Sequence, residues 1–299
     1  MRTAARHLTR RELLKLAVAA GLGVTVVGAR PAAARVAAAD PRAAAVLVDV
    51  ARCIGCRTCA RACQDYHGFP RHDATDLEPT AWTYVRARAL RRPLPHLTLG
   101  EAAAARRFIK VQCWNCVDPA CASACPVAAL RKTPEGPVTY DPYRCLGCRY
   151  CQVACPFQVP RFEWDKALPM ITKCNMCAER LARGKEPVCV SVCPAHALTF
   201  GPRDRILAEA ARRIADEPAR YVPAIYGMEE AGGTSWLYVS DVPFEELGFP
   251  VVVREPLSVY TWRALGKIPG LVVALGATLT LIEATVRRRE AMPRKEDDR

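Results

Sequence analysis

The chain has 299 residues, 51% of them hydrophobic, and a formal net charge of +13. More than half of that excess sits at the two ends, in residues 1–39 and 284–299. The charge therefore does not describe a nucleic-acid-binding face, and no motif of that class accompanies it. The informative number is sixteen cysteines, which fall into four groups of four with none left over.

In chain order, the first segment reads as an export signal. Thr9-Arg10-Arg11-Glu12-Leu13-Leu14-Lys15 is a twin-arginine (Tat) pattern ahead of an uncharged run, Leu16 to Ala29. Ala37-Ala38-Ala39 offers a cleavage site before Asp40. Tat export carries folded proteins, so a metal cofactor is assembled in the reducing cytosol before the chain meets an oxidising compartment.

A strand over Ala45 to Val50 leads into the first group, Cys53-x2-Cys56-x2-Cys59-x3-Cys63. A long stretch follows, whose Arg86, Arg88, Arg91 and Arg92 read as a solvated loop or, more pointedly, a partner-docking surface. Strands over Arg107 to Gln112, Pro137 to Tyr140 and Pro169 to Thr172 precede the other three groups. These are Cys113-x2-Cys116-x4-Cys121-x3-Cys125, Cys145-x2-Cys148-x2-Cys151-x3-Cys155 and Cys174-x2-Cys177-x11-Cys189-x3-Cys193. A further apolar run follows three of the groups, as in Ala195 to Phe200. Each unit then reads as half a ferredoxin: strand, cluster loop, helix, strand. Groups two and three are separated by the compact link Pro126 to Arg144, whereas groups one and two lie far apart. The economical arrangement nests one ferredoxin, made of halves two and three, inside another made of halves one and four. The stretches 64–106 and 157–168 are then surface insertions.

Past the last cysteine, Arg205 to Ile214 has helical apolar spacing ended by Pro218, Trp236 to Val239 reads as a strand, and Glu245-Glu246-Leu247 as a turn or short helix. The run Ile268 to Val286 has one charge, Glu283, and is long enough to cross a bilayer if its flanks snorkel. Tyr260 and Trp262 suit the outer interface. Arg287, Arg288 and Arg289, with Arg294, Lys295 and Arg299 beyond, put the tail in the cytoplasm and the cysteines outside. A buried core helix is the competing reading of this run.

The fold expected is α+β: two nested ferredoxin-like modules, each with two 4Fe–4S clusters, long loops, and one C-terminal transmembrane helix. The chain divides into a signal peptide (1–39), the first cluster motif with its insertion (40–106) and an inserted ferredoxin module carrying motifs two and three (107–168). The fourth motif pairs with the first (169–202), and a wrapping segment (203–263), the anchor (264–287) and a basic tail (288–299) complete it.

The spacing explains why iron–sulfur chemistry is expected. A cubane 4Fe–4S cluster takes four thiolates, so sixteen suffice for four clusters. Three cysteines two residues apart let one loop fold around one cluster. The fourth, three residues on, starts a helix pointing away and reaches a second cluster, as in two-cluster ferredoxins. Pro126, Pro156 and Pro194 follow three of these fourth cysteines and suit a first helical turn; Gln64 follows Cys63 instead. A structural zinc site or a disulfide scaffold also uses paired cysteines, but neither needs four repeats of one template. The five histidines are scattered, which gives no haem-attachment or His-rich motif, and His67 and His196 read as surface or packing residues. Trp114 reads as a shield against water. No GxGxxG, P-loop or catalytic triad pattern stands out.

With these motifs in view, the chain resembles the four-cluster iron–sulfur subunits of molybdopterin oxidoreductases and hydrogenases. Cys116-Val117-Asp118-Pro119, Cys148-Arg149-Tyr150-Cys151 and Cys155-Pro156-Phe157-Gln158-Val159-Pro160 carry the resemblance. The twin-arginine leader, the segment Tyr226 to Thr234 and the single anchor are similar to the periplasmic electron-transfer subunit of hydrogenase-2-type NiFe hydrogenases. Cys151 departs from nitrate reductase relatives, which have Trp there and a 3Fe–4S cluster. The resemblance implies four ligand sets: Cys53, Cys56, Cys59 and Cys193; Cys63, Cys174, Cys177 and Cys189; Cys113, Cys116, Cys121 and Cys155; Cys125, Cys145, Cys148 and Cys151. It further implies a non-catalytic subunit relaying single electrons between a periplasmic catalytic unit and an integral-membrane quinone-reducing or cytochrome b subunit. The catalytic unit is a NiFe hydrogenase pair or, alternatively, the molybdopterin subunit of a formate dehydrogenase or sulfur-compound reductase.

Overall fold

The computed structural model describes residues 40–90, 106–167 and 169–291. The leader, Arg91, Arg92 and residues 292–299 of the tail lie outside the described residues. The compact body extends to Tyr260, and the chain from Thr261 on is a separate unit.

The body is built around β1 (Ala44–Asp49), whose sequence AAVLVD is almost wholly apolar. Such a run suits a strand covered on both faces. It is central in a three-stranded sheet, antiparallel to β8 (Leu198–Pro202) and parallel to β9 (Trp236–Val239). Alternation along β1 divides the core. Val46 and Val48 face the cysteine loops, while Ala45 and Leu47 face a second cluster with Ile206, Ala210, Leu237 and Val239. Ile206 and Ala210 belong to the helix Arg203–Asp216, expected from its apolar spacing and ending before Pro218. Asp49, fully buried at the end of β1, accepts hydrogen bonds from Arg213 Nη1 at 3.0 Å and Tyr221 Oη at 2.8 Å, which pins that helix to the sheet.

Three antiparallel pairs complete the body: β2 (Thr83–Ala89) with β3 (Arg106–Gln112), β4 (Leu130–Lys132) with β5 (Val138–Tyr140), and β6 (Arg161–Phe162) with β7 (Ile171–Thr172). β1, β3, β5 and β7 are the four strands expected ahead of the cysteine groups. The helices in chain order are α1 (Thr58–His67), α2 (Ala120–Ser123), α3 (Tyr150–Ala154), α4 (Ala178–Leu181), α5 (Val188–Ser191), α6 (Arg203–Asp216), α7 (Leu257–Leu265) and α8 (Ile268–Glu290).

Two expectations are corrected. The stretch 64–106 is not merely a surface insertion: β2 pairs with β3 along its length, and Leu77, Ala81, Thr83, Tyr84 and Val85 are buried. Val159 and Phe162 are likewise buried in the stretch 157–168. The fourth cysteine of a group does not begin a helix. Short helices lead up to Cys125, Cys155 and Cys193, and Pro126, Pro156 and Pro194 then take the second position of a tight turn. Those turns are closed by Ala128 N to Cys125 O, Gln158 N to Cys155 O and His196 N to Cys193 O, at 3.2, 3.1 and 3.2 Å. Proline's fixed φ suits that position, and its ring disfavours helix in the residue before it. Cys155 is accordingly extended, at φ −78°, ψ 112°. In group one, where Gln64 replaces proline, α1 runs on through Cys63 to His67 and ends on Gly68 at φ 68°.

A helical stretch, Leu257–Glu290, begins in the last residues of the body and runs through the C-terminal unit; its 34 residues, with mean hydropathy 1.8 in the most apolar window, are long and apolar enough to cross a membrane. Three of its hydroxyls are satisfied within the helix: Thr278, Thr280 and Thr285 donate to the carbonyls of Ala274, Gly276 and Leu281. Glu283 pairs with Arg287 at 2.6 Å.

Candidate iron–sulfur centres

The cysteine loops repeat at the level of backbone angles. In the first, Gly55 and Arg57 have φ 73° and 60°; in the third, Gly147 and Arg149 have φ 68° and 62°. Left-handed residues between ordinary ones turn successive N–H groups to one side, forming a concavity for negative charge. The third residue past each Cys-Pro cysteine, Ala128, Gln158 and His196, is also left-handed. These turns aim amides at sulfur. Gly147 N and Met176 N donate to the Sγ atoms of Cys145 and Cys174, each at 3.4 Å, and Ala129 N and Val159 N to those of Cys125 and Cys155 at 3.2 and 3.5 Å. N–H···S bonds of this kind stabilise thiolate and reduced cluster alike.

Sulfurs distant in sequence come together. Cys53, Cys56, Cys59 and Cys193 line one cavity, together with Lys110. Cys125, Cys145, Cys148 and Cys151 line another. Burial pushes the Cys63 thiol up, and the thiols of Cys174, Cys189 and Cys177 add to the shift. Burial likewise raises Cys116 well above its ordinary value, reinforced by Cys113, Cys155 and Cys121. The helices follow the same association, α1 packing on α5 and α2 on α3. Exposure is graded: Cys56 and Cys148 are exposed, whereas Cys63, Cys113, Cys121, Cys151, Cys174, Cys177 and Cys189 are buried.

The donor set fits cubane clusters. All sixteen cysteines are free thiols. Among the described residues no three Cys, His, Asp or Glu side chains converge tightly enough to hold one metal ion. Zinc requires sulfurs about 2.3 Å from a common centre, whereas sulfurs standing around a cavity match a four-iron cube. Burial raises the thiols of Cys59, Cys174 and Cys189 to about 11 and that of Cys121 to about 12. At neutral pH these groups hold protons that iron displaces on binding.

Buried cations oppose that repulsion. Lys110 lines the cavity of Cys53, Cys56, Cys59 and Cys193; burial works against its charge, and Cys189, Cys59, Cys174 and Cys63 outweigh burial, so its pKa is raised. Lys132 donates to Asn115 O, Gly136 O and Ser235 Oγ, and burial lowers it to about 8 despite the nearby thiols of Cys116 and Cys113. Lys173 donates to Val138 O and Cys174 O. Asn115, left-handed at φ 46° and fully buried, donates to Cys113 O and accepts from Val138 N, joining the second loop to β5. None of these four residues stood out in the sequence. The one signal for Lys110 is a charge inside the apolar run Phe108-Ile109-Lys110-Val111.

Of the residues singled out beside the cysteines, Trp114 is buried and stacks on Phe157 at 4.8 Å, with Tyr226, Tyr238 and Phe249 around it. His67 packs on Trp82 at 4.3 Å, and His196 is a turn residue. Arg86 is structural: its Nη2 donates to Leu247 O and Gly248 O.

Residues 104–203 match the 4Fe-4S dicluster domain family. A protein of Nitratidesulfovibrio vulgaris is 41% identical over 312 residues, covering 97% of this chain and 80% of its own length. Hydrogenase-2 operon protein HybA of Escherichia coli O157:H7 is 34% identical over 279 residues, 81% of this chain and 84% of its own. The iron-sulfur subunit of the nitrate-inducible formate dehydrogenase of Escherichia coli K12 is 33% identical over 238 residues, 75% and 78% of the two chains. Matches of this extent, joined to sixteen cysteines in ferredoxin-like spacing, place the chain in the family of 4Fe–4S electron-transfer subunits of oxidoreductase complexes.

Proposed function

We propose that this protein carries single electrons through four 4Fe–4S clusters between a periplasmic NiFe hydrogenase catalytic pair and an integral-membrane quinone-reducing or cytochrome b subunit. The clusters take the four ligand sets that pair motif one with four and motif two with three. The observation that carries this reading is the grading of the sulfurs: exposed at Cys56 in one set and at Cys148 in another, all buried in the set of Cys63, and buried or half-buried in the set of Cys116. A relay needs two accessible ends and an insulated middle, because exposure to water broadens access to unwanted oxidants and shifts the potential. The packing of α1 on α5 and of α2 on α3 supports the nested arrangement.

The hydrogenase assignment rests on the similarity to HybA, the segment Tyr226 to Thr234 and the twin-arginine leader. Similarity to a formate dehydrogenase subunit at nearly the same identity supports the second reading, the same relay serving a molybdopterin enzyme. The leader and the basic residues after Val286 support a body outside the cytoplasmic membrane and a tail inside it.

Purification of the complex from detergent-solubilised membranes decides the partner. Recovery of hydrogenase large and small subunits is expected; a molybdenum subunit without hydrogenase overturns the assignment. For the ligand sets, Cys56→Ala and Cys193→Ala are expected to remove the same EPR signal, although the two cysteines come from opposite ends of the cluster region. Loss of different signals refutes the pairing. A reporter fused after Arg299 is expected to be active in the cytoplasm, and periplasmic activity defeats the topology.

A further inference from the structure

Lys110 is 2% exposed, and its ammonium has no carboxylate among its hydrogen-bond partners. Nζ donates to Thr83 Oγ1 at 2.8 Å and to Gln112 Oε1 at 3.0 Å, and lies 4.4 Å from the centre of the Trp236 ring. Both acceptors are turned toward it by other bonds. The Thr83 hydroxyl spends its proton on Val111 O, which leaves a lone pair for the ammonium. Gln112 Nε2 donates to Tyr238 Oη, which donates onward to Lys110 O. These bonds fix the amide with its oxygen facing Nζ. The site is therefore built for a cation held by dipoles and a π face.

A cation buried without an anionic partner is costly. The groups able to repay that cost are the thiolates on either side. Lys110 lines the cavity of Cys53, Cys56, Cys59 and Cys193. Cys63 follows Cys59 by one turn of α1, and α1 packs on α5, which carries Cys189, so the charge also reaches the set of Cys63, Cys174, Cys177 and Cys189. A four-thiolate cubane gains one more negative charge on reduction, so a nearby fixed cation favours the reduced form over the oxidised one.

We propose that Lys110 is a positioning residue for the electron, a fixed positive charge shared by the two cluster sites of motifs one and four that raises both of their reduction potentials. The proposal rests on the ligand sets proposed above. The strand β2, read from sequence as insertion, then has a specific role, since it supplies the Thr83 oxygen that holds the charge in place.

The test is an EPR-monitored redox titration of the whole complex purified from membranes, with iron content measured in parallel. In Lys110→Met, two of the four cluster signals are expected to shift so that the reduced-to-oxidised ratio at a fixed applied potential falls by about tenfold or more, or about 59 mV for a one-electron couple. The other two signals move little, and Lys110→Arg restores the original values. Gln112→Glu sets a carboxylate against Nζ with little change of shape and is expected to lower the same two potentials. It carries the test where Lys110→Met loses a cluster. Unchanged potentials in the variants that load, or an equal shift of all four signals, overturn the proposal. Loss of iron from both neutralising variants with the surviving clusters at their original potentials overturns it as well, and leaves a structural role only. Fewer than about sixteen irons in the unaltered complex would instead count against the ligand sets.

Discussion

Gly55 and Gly147 hold the same place in two cysteine loops, at φ 73° and 68°, yet their surroundings differ. A Cβ on Gly55 would lie 2.5 Å from the Phe108 ring, whereas one on Gly147 meets only Phe162 Cζ, at 3.9 Å. Both alanine variants pay roughly 1 kcal/mol for a left-handed residue; Gly55→Ala adds an overpacking cost of about 1–3 kcal/mol. Iron analysis of the two purified variants should show Gly55→Ala losing cluster while Gly147→Ala keeps most of its load. His67 supplies a pH dependence. Burial against Trp82 and Phe69 lowers its pKa below 6.5, with Glu179 working the other way. A depressed histidine contributes stability above its unfolded pKa and loses it as pH falls. Thermal unfolding midpoints should therefore decline below about pH 6.5, and His67→Phe should flatten that decline. At this scale the cysteines were legible because ligands repeat at fixed spacing. Lys110, Lys132 and Asn115 were not, because one polar residue in a strand or loop has no period and acquires meaning only from what folds over it.

Among elements, the strands ahead of the cysteine groups were readable as short apolar runs bounded by turn residues, and α6 by its spacing. β2 was hidden, although Thr83-Tyr84-Val85 is a β-branched and aromatic run, because its partner β3 lies beyond a long connection. The prolines were read in the wrong direction: a Cys-Pro pair suits the start of a helix and also the second position of a turn, and local sequence does not choose between them. The choice has a measurable outcome at Gln64. The motif repeat suggests that proline would be tolerated there, but Gln64 lies inside α1, is nearly fully buried, and donates from Nε2 to His72 O. Gln64→Pro should cost about 3 kcal/mol or more. Pro126→Gln, in a turn, should cost much less. Denaturant unfolding of the loaded proteins compares the two; equal losses would contradict the observed path of α1.

Across the whole molecule, the region past the last cysteine does more than wrap. β9 completes the central sheet, and Tyr226, Tyr238 and Phe249 enclose Trp114 from the second loop. Arg107 is paired with Asp241, and Arg203 Nε donates to Thr234 O at 3.2 Å. This part lacked a sequence signature because aromatic residues spread through loops show no period until they converge. Trp114→Ala should lower stability by about 3–5 kcal/mol and loosen the segment 226–250. Faster amide exchange across that segment would register the change, and unaltered exchange would contradict it. The position of β1 carries a further consequence, for time rather than for energy. Leu47, near the start of the described chain, pairs with Thr199 on one side and Leu237 on the other. During synthesis the sheet therefore cannot close until the chain through β9 has left the ribosome, whereas the hairpins β4–β5 and β6–β7 can form much earlier. Such long-range pairing is slow. A nascent chain that has emerged only as far as Val192 should thus carry its middle hairpins formed and the cavity of Cys53, Cys56 and Cys59 still open to solvent, waiting for Cys193 to close it.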